Sequence, residues 1–125
     1  MMKDIKFLKI DVPVMYDDEI PEDFPCREKS KHGWDRWKII VDVETGEIIN
    51  FPKDIDYDFF AKPVDSGSYY LLDKNKNIIA SIEDNYVPNK AIPDSDGYGD
   101  YINLNISKGY ITNWYKNPNY EEFFK

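Results

Sequence analysis

Residues 37–51 read WKIIVDVETGEIINF. Trp37, Ile39, Val41 and Val43 alternate with residues that include Lys38 and Asp42, the period of a strand with one face in a core and the other in solvent. Glu44-Thr45-Gly46-Glu47 then supplies a glycine turn, and Ile48, Ile49 and Phe51 resume the apolar run, so the stretch predicts a β-hairpin. The same reading extends outward. Leu8, Ile10, Val12, Val14 and Tyr16 share one face of a first strand, opposite Lys9 and Asp11. Pro13 has no N–H to donate, which predicts an edge strand or a bulge. A second hairpin is expected from Asp58 to Val64, through Asp65-Ser66-Gly67-Ser68, into Tyr69–Leu72. A further turn at 73–77 leads into Ile78–Ile82, and a last pair, Tyr101–Ile106 and Tyr110–Trp114, is joined by Ser107-Lys108-Gly109.

Helical signals are weak: eight prolines are scattered through the chain, and no long stretch sustains an i, i+3, i+4, i+7 apolar pattern. Short helical turns are expected only near 16–23 and 120–125. The fold expected is all-β, or a β-rich α+β variant: an antiparallel meander of about seven strands forming a small sandwich or partly open barrel. Its 125 residues suit a single domain, 1–125. Two connections, Asp17–Asp35 and Asp84–Asp100, are too long for tight turns and are places where function often sits. Val41–Phe51 also echoes Leu104–Trp114, with glycine at the turn, isoleucine two residues on and an aromatic at the close. One hairpin grammar used twice accounts for the echo, and so does a duplication.

Composition narrows the function classes. With 42% hydrophobic residues and 20 aromatics among them, the chain is too apolar to stay disordered. Its net charge of −8 repels duplex nucleic acid and anionic membranes. No apolar run reaches the roughly 18 residues of a membrane span, and residues 1–16 alternate charged with apolar, unlike a signal peptide, so a cytoplasmic location is expected. The one cysteine, Cys26, excludes an intrachain disulfide or a multi-cysteine zinc site and fits a reducing compartment.

Charge is unevenly spread. Residues 26–38, CREKSKHGWDRWK, carry +3 and leave −11 for the rest. Arg27, His32, Trp34, Arg36, Trp37 and Lys38 combine guanidinium forks with aromatic faces, as a nucleotide or phosphate ligand would require. Equally, Trp37 suits a strand core, Trp34 a loop cover, and the cations a solvated face. A Cys26–His32 thiolate pair has no orienting carboxylate to support it. In Asp94-Ser95-Asp96-Gly97-Tyr98-Gly99-Asp100, part of a calcium-loop register is present, but Tyr98 and Asn105 stand where ligands are needed, so no metal and no cofactor is assigned. Asp54, Asp56 and Asp58 alternate with Ile55 and Tyr57, so an extended chain would project all three from one face at roughly 7 Å intervals, close to the phosphate spacing of a nucleic-acid strand. With Asp94, Asp96 and Asp100 they form the candidate partner-binding carboxylates; a solvated face that blocks edge aggregation is the alternative.

Taken together, WKIIVDVETGEIINFP (37–52), VDSGSYYLLD (64–73), Tyr86-Val87-Pro88 and Tyr98-Gly99-Asp100-Tyr101-Ile102 resemble a family of short uncharacterised proteins of phage and prophage gene sets. The resemblance covers most of the chain after the first strand and implies no catalytic residues. It implies roles common among small phage proteins in the host bacterial cytoplasm: inhibiting a defence complex, or sequestering a nucleotide signal. The leading expectation is therefore a non-enzymatic inhibitor, for example of a CRISPR effector, whose acidic surface mimics nucleic acid and occupies a basic site on a host defence protein. The alternatives are a nucleotide sponge built on residues 27–38 and, third, a small hydrolase-like enzyme. Edge strands and many tyrosines also suit a homodimer.

Overall fold

The strands form where apolar residues alternate. A computed structural model describes residues 4–16, 27–28, 35–52, 54, 58–63, 67–85 and 104–114. Its strands are β1 (Phe7–Tyr16), β2 (Arg27–Glu28), β3 (Asp35–Asp42), β4 (Phe59–Pro63), β5 (Gly67–Leu72), β6 (Ile78–Asn85), β7 (Leu104–Ser107) and β8 (Tyr110–Ile111). The described part is all-β, with antiparallel pairings, no helix and no closure into a barrel. The helical turns expected near 16–23 and 120–125 fall outside the described residues, apart from Tyr16, which ends β1.

β1 organises the sheet. One of its edges pairs with β3 from Phe7 to Val14; the other pairs with β5 from Phe7 to Asp11 and with β4 from Val14 to Tyr16. The order β6-β5-β1-β3-β2 therefore runs through one long sheet, and β4-β7-β8 branches from the far end of β1. This is not a sequential meander, because the first strand lies in the middle. Its composition explains the position. Leu8, Ile10, Val12 and Val14 are all buried, alongside Trp37, Ile39 and Val41 of β3 and Tyr69 and Leu71 of β5. Each such side chain contributes roughly 1.5–3 kcal/mol on burial, more than an edge position would secure. Pro13 is consequently not on an edge strand. It falls between Asp11, the last residue paired to β5, and Val14, the first paired to β4, where the neighbour changes.

The hairpin expected between 58–64 and 69–72 does not form. β4 and β5 both pair with β1 and not with each other. Gly67 is correspondingly the buried first residue of β5, not part of a turn: a Cβ there would lie 2.5 Å from Val12 Cγ1 and 2.6 Å from the Asp11 carbonyl oxygen. The β5–β6 hairpin does form, with register shifts along its ladder, and the Asp73 carboxylate closes its turn by accepting the Asn75 and Asn77 amides, each at 2.9 Å. The β7–β8 hairpin also forms. Its turn residues Lys108 and Gly109 have φ of 52° and 83°, the paired positive values of a two-residue turn that matches strand twist.

After β3, the return arm at 47–51 is not a full strand: Ile48 bridges Val41, and Glu47 bridges Tyr110 of β8. Here the sequence echo becomes geometric. The Ile48 amide donates to the Gly109 carbonyl at 2.8 Å, and the Ile111 amide donates to the Gly46 carbonyl at 2.9 Å. The two bonds exchange equivalent residues of the two segments, so a local pseudo-two-fold axis passes between Glu47 and Tyr110. The Ile49 amide donates to the Ile40 carbonyl as the Thr112 amide does to that of Asn105. Asn50 Oδ1 accepts the Ile40 amide as Asn113 Oδ1 accepts that of Asn105. Each turn glycine, both at positive φ, faces the closing aromatic of the other segment, Gly46 on Trp114 and Gly109 on Phe51. The first turn is two residues longer, placing four residues between Asp42 and Glu47 where two separate Ser107 from Tyr110. Its extra length is used: the Val43 carbonyl accepts the buried Trp114 Nε1–H at 2.9 Å. The repeat thus extends from residue types to hydrogen bonds and packing.

Asp42 anchors that longer turn. Its carboxylate accepts the Glu44 and Thr45 amides and meets Lys6 Nζ at 2.9 Å. Burial alone would raise its pKa. The hydrogen bond from Lys6, the two amides and the Lys6 charge outweigh burial and hold it below the ordinary 3.8. Asp73 is lowered as well, chiefly by the Asn77 amide, against the opposing effect of desolvation. A carboxyl depressed in the folded state stabilises above its unfolded value and loses that contribution as pH falls through the folded one. Thermal melting is therefore expected to drop below pH 3.8, and Asp42→Asn to melt lower at neutral pH with a shallower acid limb. An acid limb unchanged in Asp42→Asn would remove this role.

Candidate functional site

Alternation along β1, β3 and β5 sends one set of side chains into the core and the other to the opposite face of the long sheet. Arg36 and Lys38 of β3 stand there with Lys9 and Asp11 of β1 and Ser68 and Tyr70 of β5. Register aligns them: Asp11 lies opposite both Lys38 and Ser68, and Lys9 lies opposite both Ile40 and Tyr70. Arg36 Nε donates to Asp11 Oδ1 at 2.8 Å, and Arg36 Nη2 donates to the Asp11 carbonyl at 3.1 Å. Lys9 Nζ sits 5.6 Å from the centroid of the Tyr70 ring, within the range of a cation–π contact. On this face Arg36 is thus paired with the Asp11 carboxylate and Lys9 with the Tyr70 ring.

Among the residues expected to grip an anionic ligand, Trp37 is corrected by the structure. It is 0% exposed in the core, paired with Val12, and its ring is not at the surface for stacking. Its parity with Ile39 and Val41 puts it there. Arg36 is on the outer face but serves the Asp11 pair, and Lys38 is exposed beside it. The β2–β3 ladder sets Arg27 opposite Trp37 and Glu28 opposite Arg36 in backbone register. His32 and Trp34 lie outside the described residues, as does Cys26. Lys9 and Tyr70 were not among the sequence candidates; only the β1–β5 register brings them together.

Among the acidic candidates, Asp54 is exposed in a turn beyond the return arm, and Asp58 is exposed immediately before β4. Asp56, Asp94, Asp96 and Asp100 lie outside the described residues, and with them the 94–100 loop. Arg36 of the basic segment finds a counter-charge on the adjacent strand, at Asp11. Among the described residues no group of three or more His, Cys, Asp or Glu side chains is arranged to hold a metal ion, and no helix is long and apolar enough to cross a membrane. Comparison with protein-family models, with curated proteins and with solved structures finds no match for this chain.

Proposed function

We propose that the chain is a non-enzymatic binding protein, a phage-type inhibitor that presents carboxylates to a basic, nucleic-acid-binding surface of a bacterial defence complex such as a CRISPR effector. The observation that carries the reading is the exposure of Asp54 and Asp58 at the two ends of the alternating 54–58 segment, on a chain of net charge −8. The nearest rival, a nucleotide sponge on residues 27–38, is weakened by the use of the Trp37 ring in the core and of the Arg36 guanidinium on Asp11. Carboxylates in this role act by replacing phosphates, so the complex weakens as salt screens the contacts.

Wild-type protein immobilised as bait in a host lysate is expected to capture a basic partner that elutes as ionic strength rises. Asp54→Lys/Asp56→Lys/Asp58→Lys is expected to bind that partner roughly tenfold or more weakly, mainly through slower association. Capture that is insensitive both to salt and to the triple reversal sinks the reading.

A further inference from the structure

We propose that β6 is a self-association edge, pairing antiparallel with β6 of a second copy of this chain. Among the described residues β6 pairs with β5 alone, although it is eight residues long. Two of the three large apolar side chains exposed on the described surface belong to it, Ile78 at 62% and Ile79 at 40%. The run from Ile78 to Ile82 carries no charge, proline or glycine, although its ladder with β5 shifts register between Ile78 and Ala80.

The charge pattern identifies the occupant. Lys74 and Lys76 precede the uncharged run, and Glu83 and Asp84 follow it. Two copies aligned in parallel would set like charges together at both ends. Antiparallel alignment sets the basic end of each strand against the acidic end of the other, twice, as the two-fold of a dimer requires. The apolar rows must also continue across the axis. A two-fold perpendicular to the sheet near Ala80 keeps core-side residues beside core-side residues and brings the turn lysines of each copy toward the Glu83–Asp84 end of the other. Ala80 and Ile82 already pack against the core, so the joined sheets share one continuous apolar side.

Sedimentation equilibrium of the full chain over a wide concentration range is the test, with circular dichroism confirming that each variant is folded. Wild type is expected at twice the chain mass. Lys74→Glu/Lys76→Glu and Glu83→Lys/Asp84→Lys each place like charges at both ends of the antiparallel pair, and each alone is expected to dissociate roughly tenfold or more readily. An equimolar mixture of the two variants has complementary ends again and is expected to recover the dimer. The control Ile78→Lys, at an exposed position, is expected to give monomer while melting near wild type. A monomeric wild type overturns the proposal, and so does a mixture no more associated than either variant alone.

Discussion

Trp37→Ala is expected to destabilise the fold by about 4 kcal/mol, near the upper end of large-to-small core substitutions. Trp37 is fully buried on the core face, and its strand is held by β1 on one side and β2 on the other, so the backbone cannot readily move in to fill the cavity. A domain of this size has roughly 5–15 kcal/mol in hand, so the variant would keep little of its stability. Urea titration followed by far-ultraviolet circular dichroism measures the loss. Trp37→Phe keeps most of the volume and is expected to cost about 1.5 kcal/mol. A Trp37→Ala loss below about 1 kcal/mol would mean the ring is not part of the core, and would return it to the candidates for ligand stacking.

Gly46→Ala and Gly109→Ala form the second test, because they probe equivalent positions of the two-fold unit with different surroundings. Both glycines have positive φ, near 80°, where an L side chain costs roughly 1–2 kcal/mol. At Gly109 the added methyl meets the Phe51 side chain, no closer than 3.4 Å at Cδ1, so about 1 kcal/mol is expected. At Gly46 the methyl would lie 2.9 Å from the Ile111 carbonyl oxygen and 2.9 Å from Trp114 Cβ. That oxygen is backbone, and Trp114 is fixed by its bond to Val43, so neither yields cheaply. Overpacking brings the expected cost at Gly46 to about 3 kcal/mol. Equal losses at the two positions would contradict the closer packing assigned to Gly46.

The alternation in β1, β3 and β5 was legible because a period of two residues is written directly in the chain: Leu8-Ile10-Val12-Val14 and Trp37-Ile39-Val41 need no partner to be recognised. Choice of neighbour was not legible. The segment 58–72 has the form of a hairpin, yet β4 and β5 spend their edges on β1, whose apolar face can be buried fully only between other strands. Gly67 misled for a related reason: a glycine that opens a turn and a glycine that lets two strands approach look alike in sequence. Trp37 was ambiguous only when read with its chemical neighbours Arg36 and Lys38; read by parity with Ile39 it belongs to the core. The Arg36–Asp11 pair spans 25 residues and depends on the β1–β3 register, which no local pattern specifies. The echo of Val41–Phe51 in Leu104–Trp114 was visible, but its extension into reciprocal bonds was not.

Those reciprocal bonds join amides and carbonyls far apart in the chain, Ile48 to Gly109 and Ile111 to Gly46. During synthesis the Glu47 arm can fold back on β3 at once, but its second neighbour, Tyr110, is made only much later. Completion of the early hairpin's packing waits on the late one, a high-contact-order arrangement that slows folding.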